Sequence, residues 1–257
     1  MSIEGNIARN TKAYILLYSK VVIWIAYYSI LGETMRAVFL GPPGAGKGTF
    51  ATYFSRKYCI PHIATGDIFR SEIARGTSLG KAIKEYMAKG ELVPDDIVIE
   101  VVKQRLREPD TENGFILDGY PRTVRQAEAL EEFAPIDVAV FIHVPVEVAI
   151  ERLSNRYICP VCNRIYNLKY NPPKKDLICD QDGARLIRRE DDKPEVIRHR
   201  YQIYYTRSKP VIEYYREREL LIEVDNTGSS REGIKLLENI LKEKGILRLK
   251  PCRDINP

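Results

Sequence analysis

Short runs of apolar residues alternate along the chain with longer stretches in which apolar and charged residues recur at helical spacing. Strands that alternate with helices pair in parallel through right-handed crossovers, so this pattern predicts an α/β fold with a five-stranded parallel sheet and helices on both faces. The predicted strands are 37–40, 59–63, 115–118, 138–144 and 220–224. The predicted helices are 47–57, a helix from near Ile68, 81–89, 94–107, a long helix from near Pro194, and 229–244.

A glycine-rich segment joins the first predicted strand to the first predicted helix. Gly41, Gly46 and Lys47 match the G-x-x-x-x-G-K frame, although Gly48 follows the lysine and the hydroxyl is delayed to Thr49. Glycines let successive backbone N–H groups face one concavity at the positive end of a helix, and a lysine adds a mobile cation. The segment therefore predicts a phosphate-binding loop; the alternative is a glycine-rich turn that binds nothing.

A second chemical motif follows the strand 115–118. Asp118 ends an apolar run, which is the Walker B pattern for ordering Mg²⁺ or its waters, and the segment 119–123 with Arg122 follows at once. Ligands bind parallel sheets at the carboxyl ends of the strands. We therefore expect the phosphate loop, Thr65, Asp118 and Arg122 to meet at one edge.

Three cysteines and one aspartate show the spacing of metal ligands. Cys159 and Cys162 form one C-x-x-C knuckle, and Cys179 with Asp182 forms a second with Asp in the last place. Two such knuckles predict a closed tetrahedral site with a structural role, which suits a segment too short to bury a core of its own. The alternatives are a metal-free segment and Asp180 as the fourth ligand. Cys59 and Cys252, which have no such motif, are predicted to be ordinary thiols.

The first 34 residues do not fit the α/β pattern. Residues 13–31 approach the length of a membrane span, but Lys20 lies inside the run and would cost about 3 kcal/mol at the centre of a bilayer. We interpret residues 1–34 as a non-native or accessory extension before a domain that begins at Met35. A membrane anchor remains the alternative.

Composition restricts the class of protein only loosely. The 257 residues are 44% hydrophobic and 29% charged, which is ordinary for a soluble globular protein. The net charge of +5 suits a phosphate-handling enzyme as well as a nucleic-acid binder. Cysteines at metal-ligand spacing indicate a reducing compartment, so the predicted location is cytoplasmic.

Four motifs in order resemble those of the adenylate kinase family: GPPGAGKGT, ATGDIFR, MAKGELVPD and LDGYPRT. The resemblance runs from Met35 to about Lys244 and includes the long lid of some members. The family shares the Gly48-Thr49 departure from the general phosphate-loop frame. The resemblance implies a P-loop NTPase fold with a mobile AMP-binding helical segment and a small zinc-ribbon-like lid. Phe50 departs from the family pattern, in which Gln is expected. The tyrosines of the stretch 201–205, which are Tyr201, Tyr204 and Tyr205, are expected to pack in the core and hinge.

The resemblance implies reversible transfer of the terminal phosphoryl group of ATP to AMP, giving two ADP, and it assigns roles to residues that match the family motifs. Catalytic roles fall to Lys47, Arg122, Arg156, Arg189 and Arg200. ATP is expected at Gly44, Ala45, Gly46, Lys47, Gly48, Thr49, Asp118, Arg152, Arg156, Ile165, Tyr166 and Gly228. AMP is expected at Thr65, Arg70, Glu91, Leu92, Val93, Gly119, Arg122, Gln126, Arg189 and Arg200. The metal ligands are Cys159, Cys162, Cys179 and Asp182.

The same resemblance implies Mg²⁺ with ATP, structural Zn²⁺ in the lid, a monomer, and no nucleic-acid partner. The implied segments are the core 35–63, 94–156 and 192–245, the AMP-binding segment 64–93, the lid 157–191 and a loose tail 246–257. Three alternatives remain open. They are a monophosphate kinase with GTP as donor or CMP or UMP as acceptor, a zinc-ribbon nucleic-acid-binding protein, and a membrane-tethered accessory protein.

Overall fold

The computed structural model describes residues 34–253 and residue 255. The predictions for residues 1–33, including the apolar run 13–31, lie outside this part of the chain. Within residues 34–253, no helix has the length and apolar content that crossing a membrane requires.

A five-stranded parallel sheet lies at the centre, as the hydrophobic pattern predicts. Its strands are β1 (Met35–Leu40), β2 (His62–Ala64), β3 (Gly114–Asp118), β4 (Val138–His143) and β7 (Leu221–Asp225), and the short β5 (Arg156–Ile158) and β6 (Ile165–Asn167) pair apart from them. The order in the sheet is β2-β3-β1-β4-β7, with β1 flanked by β3 and β4. The phosphate loop follows β1, and Asp118 is the last residue of the adjacent strand β3.

Helices cover both faces of the sheet. Strand β1 shows how: Ala37 and Phe39 enter one hydrophobic cluster, whereas Val38 and Leu40 enter the other, because successive side chains of a strand point to opposite faces. The helices are α1 (Lys47–Tyr58), α2 (Thr65–Arg75), α3 (Ser78–Lys89), α4 (Asp95–Arg105), α5 (Val124–Phe133), α6 (Val146–Ser154), α7 (Pro194–Ile203), α8 (Lys209–Arg216) and α9 (Ser230–Glu243). A π-helical turn, Tyr204–Ser208, joins α7 to α8.

The start of α2 differs from the prediction. The helix begins at Thr65 rather than near Ile68, and neither Thr65 nor Asp67 caps it; the N-cap is Ala64, without a side-chain bond. Thr65 instead donates its hydroxyl proton to the carbonyl oxygen of Gly119, 3.0 Å away. That distant partner, which cannot be read from local sequence, removes the side chain from the capping role.

The C-terminal segment also differs from the prediction. Residues after α9 are not a loose tail, because Leu247 is buried in the cluster that holds α1 and α9. Cys252 and Cys59 form a disulfide, with Cα atoms 6.0 Å apart and a separation of 193 positions in the sequence, so the prediction of ordinary thiols is wrong for both. The Cys252 amide donates to the carbonyl oxygen of Lys57 at 2.8 Å. The segment is thus attached to the end of α1.

A buried carboxylate joins α1 to α9. Glu238 is 6% exposed and accepts hydrogen bonds from Tyr53 (2.6 Å), Tyr58 (2.7 Å) and Lys57 (3.0 Å), with Lys242 also bonded to it. Burial alone would raise the pKa of Glu238, but these donors, of which Lys242 is the strongest, lower it to about 2. The ionised form therefore contributes to the stability of the helix that carries the phosphate loop.

We expect Glu238→Gln to lower the free energy of unfolding at neutral pH by about 2–3 kcal/mol, since each unit of pKa shift corresponds to about 1.4 kcal/mol. The folded pKa lies below that of an unfolded glutamate. The stabilisation is therefore complete above about pH 5 and is lost as the pH falls towards 2. Denaturant titrations across that range should show the two proteins converging in acid. Glu243→Gln, at an exposed position of the same helix, is the control. If the difference in free energy of unfolding between the wild type and Glu238→Gln stayed constant with pH, the assignment would be contradicted.

Candidate active site

The phosphate loop occupies the turn between β1 and α1. Gly44 and Gly46 have φ angles of 82° and 91°, in the left-handed region that favours glycine. A Cβ on Gly44 would lie 2.6 Å from the carbonyl oxygen of Ala149, and one on Gly46 would lie 2.7 Å from the Asn226 side chain. Only glycine fits both positions, so the backbone N–H groups at the start of α1 stay accessible to an anion.

Lys47, the first residue of α1, reaches back over the loop. Its Nζ donates to the carbonyl oxygens of Gly41 (2.9 Å) and Pro42 (3.0 Å), which leaves the third proton of the ammonium for a ligand. Burial lowers the pKa of Lys47 to about 8; Asp118 raises it, while Arg122 and Arg200 lower it. An anionic ligand would offset the repulsion between the Lys47 ammonium and these two guanidinium groups.

Asp118 lies at the carboxyl end of β3, facing the same loop. A Cβ on Gly48 would lie 3.3 Å from Asp118 Oδ2. Burial raises the pKa of Asp118, but His62 and Lys47 outweigh it and hold the pKa below its usual value. His62 Nε2 lies 3.4 Å from Oδ2 and is buried with no hydrogen-bond partner among the described residues. The carboxylate is ionised and close to the loop, which fits a role in ordering Mg²⁺ or its waters.

Several of the residues expected to bind AMP lie together around the turn after β3. Thr65 and Arg122 both donate to the carbonyl oxygen of Gly119, at 3.0 and 2.8 Å. Gln126 is 1% exposed; its Oε1 accepts from the Arg122 amide (2.7 Å) and its Nε2 donates to Asp95 (2.7 Å). Gln126 thus has one amide proton and one lone pair left for a base.

Two of the expected phosphate-binding arginines are held by carboxylates next to the lid. Arg156 Nε donates to Asp192 at 2.7 Å, and Asp192 is 6% exposed. Arg200 Nη1 lies 2.9 Å from a carboxylate oxygen of Asp191. Such charged hydrogen bonds hold the planar guanidinium groups in one orientation before a ligand arrives.

Arg122 and Arg189 lack comparable partners. Arg122 has no carboxylate within 4 Å among residues 34–253, whereas Arg189 has only Asp67, at 3.8 Å. Burial lowers the pKa of both to about 10, and repulsion from Arg200 adds to this at Arg122 and from Arg156 at Arg189. The Nε of Arg189 is buried with no hydrogen-bond partner in the described part of the chain. Buried cations without counter-ions are costly, so these two indicate a site built for an anion.

A third group of residues lies beside the turn after β7. Arg152 Nη2 donates to the carbonyl oxygens of Asn226 (2.8 Å) and Gly228 (3.1 Å), which brings together Arg152 and Gly228, two of the residues expected to bind ATP. Tyr166 does not offer its side chain there. Its hydroxyl contacts Cys179 Sγ at 3.4 Å and accepts from the Asp180 amide at 2.8 Å, so this hydroxyl is engaged within the cysteine-bearing segment.

The two knuckles form a compact cluster in the lid. Ligand atoms of Cys159, Cys162, Cys179 and Asp182 all lie within 4.8 Å of one another. Cys162 Sγ and Cys179 Sγ are 3.6 Å apart, close to the roughly 3.8 Å expected of two thiolates on one tetrahedral zinc. Asp180 instead accepts from the Lys174 amide at 2.8 Å. The residues present therefore fit a zinc ion.

Comparison with known proteins agrees with this geometry. The family model described as Adenylate kinase matches residues 39–220. The chain belongs to the adenylate kinase family. Proteins named adenylate kinase from Archaeoglobus fulgidus, Thermotoga neapolitana and Clostridium tetani are 50%, 54% and 47% identical over 214, 196 and 212 residues. These matches cover 81%, 74% and 80% of this chain and 99%, 89% and 98% of the relatives.

Family membership makes the chain a phosphotransferase of the nucleoside monophosphate kinase class, as its motifs predict. It also confirms the predicted P-loop fold with helices on both faces of the sheet. The two non-enzymatic alternatives, a zinc-ribbon nucleic-acid binder and an accessory protein, do not account for this match.

Several side chains of the cleft were not singled out from sequence. Asp191 and Asp192 precede the helix predicted from near Pro194, and they orient Arg200 and Arg156. His62 and the side chain of Asn226 were also missed, although the latter donates to the Ala45 carbonyl oxygen at 2.8 Å. No local signal identifies these roles, because each depends on a residue distant in the chain. Phe50 is fully buried and faces Gly233, where a Cβ would lie 2.9 Å from its ring.

Proposed function

We propose that this chain catalyses reversible, Mg²⁺-dependent transfer of the terminal phosphoryl group of ATP to AMP, giving two ADP. The observation that carries the proposal is the excess of partly buried cations in the cleft, above all Arg122 and Arg189, which have no carboxylate closer than 3.8 Å among the described residues. Phosphoryl transfer depends on placing two anionic substrates in line and neutralising their charge, and this excess supplies both functions.

The donor would bind on the loop side of the cleft. The N–H groups of residues 44–49 and the third proton of Lys47 would hold its phosphates, and Arg152 with Gly228 would lie against its base. Asp118 would hold Mg²⁺ or its waters. The metal, when bound with ATP, neutralises charge on the phosphate oxygens. The lid strand β6, with Ile165 and Tyr166, would contribute backbone contacts.

The acceptor would bind between α2 and the sheet. Arg70 and Arg122 would hold the phosphate of AMP, while Thr65, Gly119 and Gln126 would contact its base together with the backbone of residues 91–93. Arg156, Arg189 and Arg200 would neutralise the group in transfer from the lid side. Because Arg156 and Arg200 are already oriented by carboxylates, little conformational freedom is lost when the phosphoryl group arrives.

We also propose a structural zinc in the lid, held by the three cysteines and Asp182, supported by the spacing of their ligand atoms. The segment division is proposed as predicted: core 35–63, 94–156 and 192–245, AMP-binding segment 64–93, and lid 157–191. Cytoplasmic location is proposed because a reducing compartment keeps such thiolates available to a metal. The Cys59–Cys252 disulfide points the other way, since disulfides are rare in such a compartment. The monomeric state and the absence of a nucleic-acid partner stay predictions.

A nucleotide panel tests the proposal. The full chain is assayed for diphosphate formation with ATP or GTP as donor and AMP, CMP or UMP as acceptor. ATP with AMP should give the highest kcat/KM, because Thr65 and Gln126 present hydrogen-bonding groups to an adenine. Faster phosphorylation of CMP or UMP than of AMP would overturn the assignment of the acceptor. Lys47→Ala should abolish turnover with every pair.

A further inference from the structure

The carbonyl oxygens of the phosphate loop are held by side chains from three parts of the chain. Lys47 donates to Gly41 and Pro42, as described above. Asn226, in the turn after β7, donates to the Ala45 oxygen at 2.8 Å. The Pro43 oxygen accepts from the hydroxyl of Tyr201, 2.9 Å away on α7. A peptide whose carbonyl is held in this way also has the orientation of its N–H group restricted, because the two lie in one plane.

Tyr201 is well suited to hold a fixed position. It is 6% exposed, and its ring belongs to the hydrophobic cluster that contains α1, α6 and α9. Burial raises the pKa of its hydroxyl, so the group remains a protonated donor throughout the physiological range. The hydroxyl of Tyr201 bonds to the loop although Tyr201 lies 158 positions after Pro43 in the sequence.

Its neighbour in sequence gives the contact a second consequence. Arg200 precedes Tyr201 on α7 and carries one of the guanidinium groups expected at the transferring phosphoryl group. One rigid helix therefore bears both the cation and the side chain that fastens the loop. The distance between the loop and the cation is set through the hydrogen bond of Tyr201, and small displacements of reacting groups have large effects on rate.

We propose that Tyr201 is a positioning residue that holds the phosphate loop in its ATP-binding conformation and in register with Arg200. The inference rests on the proposed function, since it assigns ATP to this loop. Tyr201 contacts no substrate in this scheme; it acts through the Pro43 peptide. Its loss should therefore weaken binding of the donor and leave binding of the acceptor, around the turn after β3, unchanged.

Tyr201→Phe tests the proposal, because it removes the hydroxyl and keeps the buried ring. Loss of one hydrogen bond predicts a KM for ATP raised about threefold to tenfold, with a parallel rise in the Kd of a non-hydrolysable ATP analogue. The KM for AMP should change less than twofold. Tyr214→Phe is the matched control: Tyr214 is 7% exposed and its hydroxyl bonds to Glu131, remote from the loop. This control should lose stability without any change in the KM for ATP.

The outcomes separate this inference from the proposed function. If the wild type makes ADP and Tyr201→Phe matches Tyr214→Phe in both KM values and in analogue affinity, the positioning role is overturned while the function stands. Equal rises in the KM values for ATP and AMP would also overturn it, since they indicate a general structural defect. If the wild type makes no ADP, the proposed function fails, and calorimetry with the ATP analogue still decides the role of Tyr201.

Discussion

Replacing Arg122 by alanine is expected to lower the rate of ADP formation from ATP and AMP by about 10³-fold or more. We propose that Arg122 holds the attacking phosphate of AMP in line and neutralises its charge, and an arginine that neutralises charge at a phosphoryl-transfer site is worth about 10³–10⁵ in rate. Arg122 is partly buried, donates to the Gly119 carbonyl oxygen at 2.8 Å, and has its pKa lowered to about 10 by desolvation and by Arg200. Initial rates with saturating ATP and varied AMP give kcat and KM separately.

Arg125→Ala is the matched control for this variant. Arg125 lies three positions further on, at an exposed site, and pairs with Asp96. Surface ion pairs contribute little, so its loss should change neither rate nor stability appreciably. Arg122→Ala should not lower the melting temperature either, because Arg122 is a partly buried cation without a close carboxylate among the described residues. Retention of more than a tenth of the wild-type rate by Arg122→Ala would contradict its assigned role.

The second large effect is expected in the lid. Cys179→Ser should remove about one equivalent of zinc per chain, because Cys179 is buried within the four-ligand cluster and has no substitute nearby among the described residues. A structural zinc supplies much of the folding free energy of so small a unit. The lid should then become sensitive to proteases within residues 157–191. ADP formation should fall at least about tenfold, because the proposed lid carries Arg189, which we propose neutralises the transferring group.

Asp180→Asn separates metal loss from a general disturbance of the lid. Asp180 lies next to Cys179 in sequence but accepts from the Lys174 amide and stands outside the cluster. Zinc content, measured by mass spectrometry of the purified full chain, should stay near one equivalent in this variant. A wild type without bound metal would refute the zinc assignment, as would loss of metal from Asp180→Asn equal to that from Cys179→Ser.

Much of the donor site was predictable from sequence because its chemistry is local. The phosphate loop needs a strand, glycines, a lysine and a helix within a dozen residues, and hydrophobic periodicity shows all of them in order. The same holds for Asp118 at the end of an apolar run and for the paired knuckles. The boundaries of elements were less accurate: α2 begins at Thr65 because that side chain bonds to Gly119 instead of capping.

Partnerships between distant residues were not predictable. Cys59 and Cys252 look like unrelated thiols in the sequence, and only folding brings the end of α1 beside the C-terminal segment. Tyr201 was expected to pack in the core and hinge; its ring does so, but its hydroxyl serves the phosphate loop. Asp191 and Asp192 gave no sign of orienting arginines. Each of these roles depends on a three-dimensional arrangement that periodicity does not encode.

The amino-acid sequence by itself therefore determined the sheet, the loop, the metal-ligand spacing and the family, since each is identified by local patterns of residues along the chain. The tertiary structure alone decided which cations are balanced by carboxylates and which are left for substrate. Arg156 and Arg200 have buried partners, whereas Arg122 and Arg189 have none as close. That difference arises because charge compensation depends on distance in space, and the fold sets that distance.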